Sequence, residues 1–358
     1  MEPIIKLHQV TYQPPTAVHP IVTALSIDLH PAEVLVLLGP SGSGKTTTLR
    51  LIAGLELPNA GLITIRGVPA GRTMPPEARR VGMVFQDYAL FPHMTVLENV
   101  RFALHATPKP QQLGQAMHAI AQVGLAGLEQ RMPHQLSGGQ QQRVAIARAL
   151  APQPSVILLD EPFSNLDTAI RDRVRTELRT ILRAANTAAI IVTHDQTEAL
   201  AIADRVALLH DGILHQIGTP EALYGAPRTR FAAQFMGPAD FVVVDAPFQT
   251  SMGPVTPVGT IPANPNLTVL VRYDDVAVTV NTTNPNAEVI ERLFEGPSYL
   301  YTCRLDDGAH VHCRTPYETK IPIGHRIALS YAATHPMVCF ADEVACGHVT
   351  ATDTGRRS

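Results

Sequence analysis

The sequence predicts an α/β fold built on a mostly parallel sheet, followed by a small all-β domain. Three observations carry this. Short continuous apolar runs alternate with stretches of helical spacing through the first two thirds of the chain, as buried parallel strands joined by helices read. A glycine loop, Gly39-Pro40-Ser41-Gly42-Ser43-Gly44-Lys45-Thr46, sits between such a run and a helix. Beyond Gly237-Pro238 the apolar segments shorten and are broken by Pro, Asn and Gly, the spacing of a small barrel or sandwich.

Taken in order, Ile4 to Tyr12 and Ala24 to Leu29 read as strands around a proline-rich loop, and Leu62 to Gly67 as a third. These three predict an antiparallel piece beside the core. Glu33 to Leu38 is the buried run before the glycine loop. Thr47 to Ala53 after it has helical spacing, with Gly54 placed to end the helix. Val81 to Phe85, Val156 to Leu159 and Ala189 to Val192 read as further buried strands. Helices are expected over Thr95–Leu104, Gln111–Val123, Gln140–Leu150 and Asp172–Ala184; the arginines of the last read as a solvated face. The division predicted is residues 1–237 and 238–358, with a helical subdomain over about 87–151. In the second part Asp307-Gly308 reads as a hairpin turn setting Cys303 opposite His312, with His310 nearby, too few ligands for a metal site.

Composition excludes several classes. The formal charge of −3 gives no electrostatic case for nucleic acid. The four cysteines, Cys303, Cys313, Cys339 and Cys346, lack CxxC spacing and read as reduced, buried residues. No run reaches the roughly 18 apolar residues of a membrane span, and Met1 to Lys6 lacks the pattern of a signal peptide. The expectation is a cytoplasmic protein that meets a membrane only through partners.

The glycine loop fits the P-loop pattern, in which backbone N–H groups and a helix N-terminus surround phosphate oxygens. Residues Gly39 through Thr47 are the candidate phosphate site, Lys45 reaching the β- and γ-phosphates and Thr46 offering its hydroxyl to Mg²⁺. Val156-Ile157-Leu158-Leu159-Asp160-Glu161 is an apolar strand ending in two acids: Asp160 to hold Mg²⁺, Glu161 to deprotonate the attacking water. Leu136-Ser137-Gly138-Gly139-Gln140 is a second glycine loop opening a helix, a second cluster of N–H groups for phosphate. One chain around one P-loop has no evident use for it. A head-to-tail pair of chains does.

With Leu136 to Gln140 standing between the P-loop and Asp160-Glu161, residues 1–237 are identified as resembling the ABC-type ATPases. The resemblance implies ATP and Mg²⁺, with Gln86 joining metal and water, Ser164-Asn165-Leu166-Asp167 as a further loop on nucleotide, and His194 contacting the γ-phosphate. It also implies a homodimer, docked through the segment Asp87 to His93 on integral membrane permease subunits and served by a periplasmic or extracellular solute-binding protein. That places the chain peripherally on the cytoplasmic face of the inner membrane. The tail resembles the oligosaccharide-binding-like regulatory domain of such importers. Asp87 and Phe163 look most like ferric-ion importers, ahead of polyamine, sulfate, molybdate and sugar relatives. The alternative class is a soluble ATP switch with a regulatory β domain. The family stacks adenine on an aromatic residue ending the first strand. Here that position is Pro14, leaving Tyr12 as the nearest aromatic and His19 as competitor.

Overall fold

A computed structural model describes residues 2–164, 166, 168–262 and 266–352. The chain divides into two compact units, Met1–Pro220 and Glu221–Ser358.

The first unit contains strands β1 (Ile5–Tyr12), β2 (Val22–Leu29), β3 (Val34–Leu38), β4 (Ala60–Ile65), β5 (Val68–Pro69), β6 (Val81–Val84), β7 (Val156–Asp160), β8 (Ala188–Thr193), β9 (Arg205–His210) and β10 (Ile213–Gly218). Its helices are α1 (Lys45–Ala53), α2 (Val96–Phe102), α3 (Lys109–Gln122), α4 (Gly138–Leu150), α5 (Thr168–Ala184) and α6 (Gln196–Ile202). Strands β2-β1-β4-β5 form the expected antiparallel sheet, and β10-β9-β3-β8-β7-β6 the core sheet. In the core sheet β9, β3, β8, β7 and β6 run parallel, and β10 is antiparallel at the edge. Buried on both faces, β3, β7 and β8 are the continuous apolar runs of the sequence.

In β1 the buried residues are Ile5, Leu7 and then Val10. The break in alternation is a bulge at Gln9, whose φ is 50°, with the pairing register shifting between Leu7 and Val10. The hairpin of β9 and β10 is not anticipated by the pattern reading above. Its signal was present in Asp211-Gly212, a two-residue turn between apolar segments.

Helix α1 is clamped at its far end by Arg79, which is buried. Arg79 donates to the carbonyls of Leu51 and Ile52 at 2.8 Å and of Ala70 at 3.0 Å. A cation at a helix C-terminus satisfies its orphan carbonyls and opposes the negative end of the dipole.

The second unit holds two antiparallel sheets around one core that includes Val269, Tyr301, Cys303, Cys313 and Val349. It starts ahead of the composition change at Gly237-Pro238, because Arg272 donates to the carbonyls of Tyr224, Ala233, Gly237 and Pro238 at 2.8–3.1 Å. The strands Met337–Ala341 and Val344–Ala351 add to those expected. The strand pairing also corrects one reading: Cys303 faces Val311, and His312 faces Thr302. Leu305 donates to the carbonyl of Ala309, so Asp306-Asp307-Gly308 is the turn, with Gly308 at φ 88°. A loop one residue longer moves the register by one and turns His312 away from Cys303. The His312 ring instead bonds Asp240 at 2.9 Å, and among the described residues no cluster of His, Cys, Asp or Glu could hold a metal.

Candidate functional site

The P-loop turns from β3 into α1 with the geometry its glycines allow. Gly44 caps the helix at φ 91°, and a Cβ there would stand 2.6 Å from the carbonyl oxygen of Ile21. The cleft in front of the loop is about 350 Å³, lined by Ile21, Ser41 to Thr47 and Glu161. Lys45 is buried and donates to the carbonyls of Gly39 at 2.8 Å and Pro40 at 2.7 Å. Burial pulls its ammonium below the usual lysine range, against the raising pull of Glu161 and Asp160. Thr46 donates its hydroxyl to Asp160 at 2.8 Å. Burial pushes the Asp160 carboxyl up, and that hydrogen bond opposes the push. A hydroxyl in contact with a carboxylate, both oxygen donors beside a phosphate cradle, suits a hard divalent cation such as Mg²⁺.

Glu161 follows at the C-terminal end of β7. Its backbone stands at φ 43°, in a region that costs a non-glycine residue about 1–3 kcal/mol and is held only where the surroundings fix it. Its N–H donates to Val192 of β8, while Ser164 donates back to its carbonyl from both N–H and hydroxyl. One carboxylate oxygen accepts from His194 Nδ1 at 3.1 Å and the other from Gln86 Nε2 at 3.4 Å. The bond to a carboxylate puts the imidazole proton on Nδ1. The structure therefore brings together Lys45, Thr46, Gln86, Asp160, Glu161 and His194.

The second glycine loop is arranged differently. Ser137 is the N-cap of α4: its hydroxyl accepts from Gln140 N–H, and Gln140 Oε1 accepts from Ser137 N–H at 2.9 Å. Ser137 is exposed, Gly138 and Gln140 half-buried and Gly139 buried. Asn165 and Asp167 lie outside the described residues.

Two expected residues have surroundings that the sequence did not show. Tyr12 packs on the core and donates its hydroxyl to Glu56 at 2.6 Å, a bond that raises its pKa. Ile21 lines the phosphate side of the cleft. Phe163, read with Asp87 as a pointer to the solute, is fully buried, whereas Asp87 is exposed.

The ABC transporter family model matches residues 22–164. The Fe(3+) ions import ATP-binding protein FbpC of Agrobacterium fabrum is 48% identical over 239 residues, 66% of this chain and 67% of that protein. The chain belongs to the ABC transporter ATP-binding family. Within it, the FbpC of Rhizobium etli is 51% identical over 61% of this chain and 62% of that protein. The sulfate/thiosulfate import ATP-binding protein CysA 2 of Chromobacterium violaceum is 46% identical over 71% of this chain and 70% of that protein. Among solved structures, cbiO1 of Clostridium perfringens, part of the ABC transporter complex cbiONQ, superposes with a TM-score of 0.58 at 27% identity. It covers 62% of this chain and 91% of that one. The ABC family match joins the P-loop, Gln86, Ser137 and Glu161 in one stretch. His194 lies beyond the family model and is placed by the fold, since β8 delivers it beside Glu161.

Proposed function

We propose that this chain is the ATP-hydrolysing subunit that energises solute import through an integral membrane permease, with ferric iron as the solute. The observation that supports it most is the carboxylate of Glu161, held between Gln86 and His194 at the edge of the P-loop cleft. In the hydrolysis this supports, a water oxygen attacks the γ-phosphorus of ATP, Glu161 takes the water proton, and ADP leaves with the β–γ bridging oxygen. His194 and Gln86 fix the direction of the carboxylate. Lys45 supplies positive charge to the β- and γ-phosphates. Thr46 and Asp160 are the residues that would hold Mg²⁺, which, when bound, neutralises charge on those phosphates.

Ser137, Gly138, Gly139 and Gln140 serve the nucleotide of a second copy, which makes the working unit a homodimer. Asp167 joins the nucleotide site by resemblance. The chain sits peripherally on the cytoplasmic face of the inner membrane; no helix among the described residues is long and apolar enough to cross it. A solute-binding protein delivers the cargo to the permease, and the second unit is regulatory. Iron is supported by the two FbpC relatives and by exposed Asp87. Sulfate is the second reading, because the CysA relative aligns over a larger share of the chain.

Reconstitution with the permease and binding protein in proteoliposomes tests this. ATP hydrolysis is expected to rise with ferric-loaded binding protein and not with sulfate-loaded binding protein. The reverse response transfers the assignment to sulfate. Hydrolysis indifferent to the permease supports the soluble-switch class instead.

A further inference from the structure

The bend that follows Gln86 is held from two sides. Tyr88 and Ala89 both stand in the left-handed region, at φ 62° and 45°. Non-glycine residues stay there only where neighbours fix them. Arg148, near the end of α4, supplies that constraint. Its Nη1 donates to the carbonyl of Ala89 at 2.6 Å and its Nη2 to that of Tyr88 at 2.7 Å. The guanidinium also lies 5.7 Å from the centroid of the Phe91 ring. From α2, the buried Asn99 donates to the carbonyls of Phe91, Met94 and Thr95 at 3.0–3.1 Å and accepts from Phe91 N–H at 2.9 Å. Two side chains thus occupy the carbonyls of residues 88, 89, 91, 94 and 95.

The link reaches both parts of the proposed chemistry. Gln86 stands two residues before the bend and donates to Glu161. Ser137 caps the other end of α4, roughly 16 Å from Arg148 at 1.5 Å per residue. A helix of this length transmits displacement along its axis with little loss.

We propose that Arg148 is a positioning residue for hydrolysis. By holding Tyr88 and Ala89 it makes α4 and the Gln86 bend one body, so that Gln86 meets Glu161 when the Ser137 end of α4 is in place. The inference rests on the ATPase reading above. The planar fork of arginine reaches two carbonyls at once, whereas lysine offers a single point of donation.

Steady-state hydrolysis by the purified full-length chain, wild type beside Arg148→Met and Arg148→Lys, tests this. Arg148→Met is expected to lower kcat about ten- to a hundredfold, the size of a slightly misplaced reacting group, with KM for ATP within about threefold. Arg148→Lys keeps one donor and is expected to recover part of the loss, leaving kcat about two- to fivefold below wild type. A wild-type kcat in Arg148→Met, or a loss carried by KM, overturns the assignment. Should Arg148→Met fail to fold, Arg148→Lys carries the same division: lowered kcat with unchanged KM supports it, and unchanged kcat overturns it. A wild-type chain that hydrolyses no ATP overturns the ATPase reading, and this inference with it.

Discussion

The two glycine loops of the first unit begin from the same backbone chemistry and reach different states. Around the P-loop, the chain supplies everything a phosphate site needs: Lys45 buried in the loop, Thr46 on Asp160, and Glu161 across the cleft. At Leu136 to Gln140, the chain supplies only the start of a helix. Ser137 and Gln140 cap each other, and Ser137 faces solvent. Both loops aim N–H groups and a positive helix end outward. One has its catalytic groups assembled around it, and the other has them only if a second chain brings them. The difference teaches that a phosphate-binding backbone is not by itself a catalytic site. What completes it is the set of side chains the sheet delivers to the same edge.

The largest expected effect breaks the P-loop side alone. Glu161→Gln keeps shape and removes the base, so turnover is expected to fall about 10²–10⁴-fold while ATP stays bound. Turnover above a tenth of wild type removes Glu161 from that role. A middle-sized effect concerns the base platform, which we propose to be Tyr12. Base–aromatic stacking is worth about 1–3 kcal/mol, so Tyr12→Ala is expected to weaken ATP binding roughly five- to a hundredfold with little change in maximal rate. Tyr12→Phe keeps the ring without the Glu56 bond and is expected to bind ATP within about twofold of wild type, less than the loss of a stacked ring. Unchanged affinity in Tyr12→Ala with a loss in His19→Ala hands the role to the histidine. The smallest effect sharpens the other loop. Ser137→Ala removes a helix cap worth about 0.5–2 kcal/mol, lowering stability to denaturant by that much. The affinity of a single chain's P-loop for ATP is expected to stay at the wild-type value.

The sequence carries the core plainly because its signals are local. Val34 to Leu38 and Val156 to Asp160 are buried on both faces, and continuous apolar runs say so without any tertiary information. Glu161 was legible as the end of an apolar strand closing in two acids, Gln86 and His194 came with the resemblance, and the fold brings the three together. Legibility failed where a fact depends on one residue of register. The Asp306-Asp307-Gly308 turn is a residue longer than its Asp-Gly pair suggested, and Cys303 lost His312 as its partner. Tyr12 shows a second limit: strand alternation cannot foresee that Glu56, far along the chain, holds its hydroxyl. Arg148 and Asn99 show a third, since no motif marks a side chain whose work is to hold backbone carbonyls of another segment.

The most direct test of the comparison mixes two damaged chains. A Lys45→Ala chain lacks its P-loop cation, and a Ser137→Arg chain blocks its second loop. If each second loop serves its neighbour's P-loop, the mixed dimer keeps one intact site, on the P-loop of the Ser137→Arg chain. Neither damaged chain is expected to hydrolyse ATP alone, and the mixture is expected to recover turnover, because only the mixed dimer joins an intact P-loop to an intact second loop from its neighbour. A mixture that hydrolyses no more ATP than the two damaged chains measured apart would contradict the head-to-tail account.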